Sequence, residues 1–87
     1  MALGFPNSSR SYDATRRAVR FWGHDSAMEW SFFVTADALQ CVHPAMVPDE
    51  AGMLVAFDSH RERIFAAATK LYSRGRKGSY ELGAGDL

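Results

Sequence analysis

The chain is short of three things. Cysteine is down to one, Cys41, so no disulfide can close within the chain and a reducing compartment is expected. Excess charge of either sign is missing: ten basic and ten acidic side chains cancel, and no overall field draws the chain to nucleic acid or to an anionic membrane. Long hydrophobic runs are missing as well. The longest cover five residues, Met53 to Phe57 and Ile64 to Ala68, against the ~20 that a bilayer span requires. The opening MALGFPNSSRSYDATRR has no apolar core of the secretory kind, so no signal peptide is expected and the chain reads as cytoplasmic, away from membranes. No internal repeat is visible, and Gly83-x-Gly85 is too short and too terminal for a phosphate loop.

What remains suffices for one domain. The 87 residues are 47% hydrophobic and 23% charged, near the globular average. A chain of this size buries roughly 60–65% of its unfolded surface, enough for a thin core.

Residues 1–17 are polar and turn-rich and read as an arm, with Leu3 and Phe5 as its apolar anchors. Residues 18–22 and 28–35 read as two strands of a hairpin. Alternation puts Val19 and Phe21 on one face with Met28, Trp30, Phe32 and Val34. Pairing Trp22 with Ala27 leaves Gly23-His24-Asp25-Ser26 as the loop, sets Phe21 opposite Met28, and matches Arg20 with Glu29 on the other face. Thr35 reads as the N-cap of a short helix from Ala36 to Val42, closed by His43-Pro44. Pro48 and the acids after it open a long helix over 48–74, whose stripe is Leu54, Phe57, Ile64, Phe65, Ala68, Leu71 and Tyr72. Ser59 and Glu62 offer a capping box that would break this helix near Asp58, but one continuous helix is the expectation, ended by Gly75. A short strand over 79–82 and a flexible tail over 83–87 complete the chain. The expected fold is α+β: a three- or four-stranded, mainly antiparallel sheet with one short and one long helix on one face.

AVRFWGHDSAMEWSFFV, the segment Phe57-Asp58-Ser59-His60-Arg61-x-x-Ile64 and the closing RGRKGSYEL together resemble a small bacterial family catalogued as domain of unknown function 1488. The resemblance covers nearly the whole chain. It implies a compact α+β domain with helices on a sheet, and places the Phe-x-x-His-Arg-x-x-Ile motif on Phe57, His60, Arg61 and Ile64. It implies no catalytic residue.

Four groups of residues could carry a function. His60 and Arg61 come first. An arginine within the apolar stripe must find acceptors, so Arg61 is expected to be largely buried, either as an anchor to a carboxylate or strand carbonyls or as a clamp for an anionic ligand. His24-Asp25 is the second, read as turn chemistry, since adjacent side chains in a tight turn point apart and make a poor base-and-orienter pair. His24, His43, His60 and Cys41 lie on different elements without ligand spacing, so no metal is expected, and Cys41 reads as a small buried hydrophobe. The basic cluster Lys70, Arg74, Arg76 and Lys77 is the third; helix C-termini favour such residues without any ligand. Trp22 and Phe33 are the fourth, on the sheet face away from Phe32, where they are either covered or form an exposed apolar patch.

The expectation is a non-enzymatic module without cofactor, which binds a protein partner or a second copy of itself through Trp22 and Phe33. The alternative is a nucleic-acid-binding accessory protein that uses the basic cluster at 70–77.

Overall fold

The computed structural model of the chain describes residues 3–6, 9–26, 28–73 and 79–87. Its elements run β1 (Ser11–Asp13), β2 (Ala18–Asp25), β3 (Met28–Thr35), α1 (Ala36–Val42), α2 (Glu50–Ser59), α3 (Arg61–Ser73) and β4 (Ser79–Leu82), then a 3₁₀ turn at Ala84–Asp86. The sheet is mixed, in the order β1-β2-β3-β4, with β4 parallel to β3 and the other pairs antiparallel. The fold is therefore α+β, with four strands, the larger of the two expected numbers, in a mixed sheet, and with three helices rather than two.

The hairpin corrects the expected register. Phe21 pairs with Phe32, Arg20 with Phe33 and Trp22 with Ser31, and the strands run on until Asp25 faces Met28. Ala27, the expected partner of Trp22, lies outside the described residues. Ser26 adopts a left-handed φ of 58°, as tight hairpin connections require. Gly23, His24 and Asp25 thus belong to the strand, although their composition suggests a turn. The slip is four residues, an even number, so every side chain keeps its expected face.

Tertiary contacts explain the longer strand. Gly23 lies on the inner face, where a Cβ would sit 2.8 Å from the Phe32 ring, 3.0 Å from Phe5 and 3.1 Å from Leu3. Glycine is there to admit the arm. Gly4 and His24 exchange backbone hydrogen bonds at 2.8 Å each way, and Phe5 stacks on Phe65 with centroids 4.2 Å apart. Farther along, the arm becomes β1, a strand that was not expected.

Thr35 caps α1, its hydroxyl accepting from the Ala38 N–H. Asp49 caps α2 in the same way through Gly52, so the helix starts after Pro48 rather than on it. The long helix is broken. Uninterrupted over 48–74 it would measure ~40 Å at 1.5 Å per residue, longer than the 35 Å maximum extent of the structure. His60 ends α2, donating its N–H to the Phe57 carbonyl, and its own carbonyl accepts from Ile64 to start α3. Gly75, the expected end of that helix, is outside the described residues.

All three helices cover one sheet face. Val19, Phe21, Phe32, Val34, Tyr80 and Leu82 from the strands meet Leu39, Met53, Phe57, Ile64 and Ala68 from the helices. The expected stripe survives the break: Phe57, Ile64 and Ala68 are buried, while Leu54, Phe65, Leu71 and Tyr72 pack at its margins. The tail is not loose, since Asp86 accepts from the Gly83 N–H and Leu87 packs against the core. Among the described residues no helix is long and apolar enough to cross a membrane.

Candidate interaction surface

The sheet face away from the helices carries Arg20, Trp22, His24, Glu29, Ser31 and Phe33. Phe33 is only 6% exposed, because Arg16 from the β1–β2 turn lies 4.2 Å above its ring. Arg20 lies over Trp22 at 5.2 Å and over Phe33 at 5.7 Å, and donates to the Ser31 hydroxyl at 2.9 Å. Trp22 is half-buried. Of the two outcomes open to this pair, the structure has cover, and the cover is a layer of guanidinium groups. His24 and Glu29 complete the face, with Nε2 and Oε2 3.1 Å apart.

A different surface is apolar and open. From Ala51 to Phe57, α2 has no polar side chain, so one helix face buries Met53, Ala56 and Phe57 while the opposite face is still hydrophobic. A soluble helix with one buried face ordinarily shows polar residues on the other. Here Val55 is 59% exposed, and so is Val47 in the segment before the helix. With Ala45, Met46 and Ala51 they line an open groove of about 380 Å³, edged by His43 and Asp49. Gly52 holds the groove together: a Cβ there would lie 2.0 Å from the Val47 carbonyl oxygen, so no other residue lets that segment lie so close to α2. The sequence signal was the apolar run itself, which reads as core until the helix is placed at the surface.

Arg61 is half-buried, not within the core. The helix restarts at this residue, so its angular position no longer follows from Phe57. Its guanidinium donates to Asp58 Oδ1 at 2.8 Å and lies 4.9 Å from the Phe57 ring centre. Arg10 of the arm grips the same carboxylate with two bonds of 3.1 and 2.9 Å. Partial burial pushes the Asp58 carboxyl up, but the hydrogen bonds and charges of Arg10 and Arg61 outweigh it and hold the group below its ordinary value.

His60 and His43 come together from the ends of α2 and α1, with Nε2 and Nδ1 3.3 Å apart. His24 is elsewhere, on the outer sheet face. Asp25 is inside rather than at a turn tip: it is 5% exposed, Tyr72 donates to its Oδ2 at 2.5 Å, and Oδ1 is buried with no hydrogen-bond partner among the described residues. Trp30 Nε1 shares that condition. Cys41 is exposed, contrary to expectation, because Ala38 and Leu39 take the buried side of α1. Lys70 is exposed on α3, while Arg74, Arg76 and Lys77 lie outside the described residues.

A family model described as "Protein of unknown function (DUF1488)" matches residues 3–82. No curated protein matches the chain. Among solved structures, it is similar to the crystal structure of a protein of unknown function from that family, from Shewanella loihica PV-4 at 1.60 Å resolution. The two share 17% identity with a TM-score of 0.80, over 92% of this chain and 90% of the other. At that identity the likeness concerns the fold.

Proposed function

This chain belongs to the DUF1488 family, and from that premise we propose that it is a non-enzymatic protein-interaction module that pairs with a second copy of itself through α2. One observation carries the reading: between Glu50 and Asp58 the exposed side of α2 is apolar, with Ala51 and Val55 lining one groove together with Val47. An uncharged apolar strip is complementary to itself, which a two-fold interface demands. Trp22 and Phe33 are less suited to this role than the sequence suggested, because Arg16 and Arg20 already lie on them. Among the described residues nothing groups a nucleophile, a base and an orienting residue in one accessible place, so no reaction is assigned.

Light scattering and sedimentation of the wild-type chain test the proposal. Self-association is expected to weaken at least tenfold in Val55→Glu and in Val47→Glu, with melting temperatures near wild type since both residues are exposed. Salt is expected to change it little, because burial of apolar area is the driving force. A chain that stays monomeric at several hundred micromolar overturns the proposal. So does self-association that Trp22→Ser abolishes and Val55→Glu leaves intact. Tight, salt-sensitive binding of DNA by a monomer would instead favour the basic cluster at 70–77.

A further inference from the structure

We propose that His43 and His60 form a two-imidazole site for a divalent transition metal, with zinc the best geometric fit. The sequence places these residues on separate elements with no ligand spacing, and the fold brings them together. Each closes a helix: His43 is the C-cap of α1 and His60 that of α2, so their backbones are held by the Leu39 and Phe57 carbonyls. His43 Nδ1 and His60 Nε2 lie 3.3 Å apart.

That distance is informative. Two imidazole nitrogens bound to tetrahedral zinc at ~2.0–2.1 Å lie ~3.3–3.4 Å from each other. The pair is therefore already spaced as neighbouring ligands of one ion, and no backbone movement is needed to admit it. The rings cross at 68° with centroids 5.4 Å apart, so the rings are edge-on, with the two nitrogens as the near atoms. Both side chains are half-buried, and each edges a groove open to solvent: His43 the α2 groove, His60 one lined with Asp58, Ser59 and Glu62 and with the cations Arg61 and Arg63. The remaining metal positions can thus be reached from outside. Without metal, the same two atoms share a single hydrogen bond, which is the state that metal binding replaces.

The number of ligands sets the strength. Among the described residues, no group of three or more histidine, cysteine, aspartate or glutamate side chains is placed to hold a metal ion. Structural zinc sites use four protein ligands and catalytic ones three. Among the described residues no carboxylate or carbonyl bonds the second nitrogen of either ring, and such outer partners are worth ~10–100-fold in affinity. The site is accordingly weak and exchangeable. Imidazole ligands also suit Ni²⁺ and Cu²⁺, which bind in rising order along the divalent series.

Calorimetry with zinc sulfate on the tag-free full chain at neutral pH tests this. One ion per chain is expected. His43→Ala and His60→Gln are each expected to lower affinity at least tenfold, while His24→Ala leaves it unchanged. Circular dichroism checks that each variant is folded. Should either variant unfold, the wild-type protein supplies the test by nuclear magnetic resonance: zinc shifts the imidazole signals of His43 and His60 together and leaves those of His24 in place. No binding up to millimolar zinc, or binding that survives in both folded variants, overturns the proposal. Although His43 edges the α2 groove, the two proposals are tested apart: Val55→Glu is expected to weaken pairing at least tenfold and to retain zinc.

Discussion

Phe21 and Phe33 sit on neighbouring strands and are almost equally hidden, at 1% and 6% exposure, yet they point to opposite faces of the sheet under different cover. Phe21 lies among other rings: Phe32 at 5.5 Å, Phe57 at 5.2 Å, Phe65 at 5.7 Å and the arm's Phe5 at 6.0 Å. Phe33 lies under guanidinium groups carried on long, solvated side chains. The cover over Phe21 is made of helices and cannot be lifted without unfolding. The cover over Phe33 is two arginines, Arg16 with a 3.8 Å contact to Asp13 and Arg20 with a hydrogen bond to Ser31. Equal burial therefore does not mean equal contribution. One face is a core and the other a screened surface.

The largest expected effect lies on the core side. Phe21→Ala removes a ring from the centre of that cluster and is expected to cost about 3–5 kcal/mol in denaturant unfolding. Phe33→Ala, on the screened side, is expected to cost about 1–3 kcal/mol, because lost transfer energy is only partly joined by a cavity that arginines and water can fill. Equal losses at the two positions would break the comparison, since they would make the outer face a second core. A smaller effect sharpens it. Arg16→Ala uncovers Phe33 and is expected to cost about 0.5–1 kcal/mol in denaturant unfolding, the worth of an exposed cation–π contact.

The same contrast marks what was legible in the sequence. Alternation assigned Val19, Phe21, Phe32 and Val34 to one face and Trp22 and Phe33 to the other, because faces depend only on parity. Register depends on what each residue meets across the fold, and there local composition misled. Gly23 is in β2 because Leu3 and Phe5 need its space, and Asp25 because Tyr72 reaches it from α3. Neither partner is near in sequence. Thr35 and the apolar stripe were readable because a cap and a helical period are local; Ser59 and Glu62 also signalled a break near Asp58, but that local signal did not decide between a broken and a continuous helix, which depends on the size of the whole globule. The α2 groove and the His43–His60 pair were invisible for a related reason. Both depend on the 43–49 segment folding back onto α2, and no local signal announces that.

The smallest effect belongs to the seam where the helical cover is fastened to the arm. Arg10 and Arg61 hold the Asp58 carboxyl below its ordinary value, against the upward push of burial. A carboxylate with a lowered folded pKa contributes stability that is fully present above its unfolded value near 3.9 and is lost as pH falls through the lower folded value. The side chains of Arg10 and Asp58 are 35% and 40% exposed, so solvent screens the pair heavily. Asp58→Asn is therefore expected to cost only about 0.5–1 kcal/mol at neutral pH. Two readouts tie that loss to the ion pairs. Added salt should shrink the difference between variant and wild type. Acid should erase it, the two stability curves converging below pH ~3.9 as the wild-type carboxyl takes up its proton. A difference that persists undiminished at acid pH and high salt would mean that Asp58 shapes the α2–α3 joint by its hydrogen bonds alone, and that the helical cover needs no charge to stay in place.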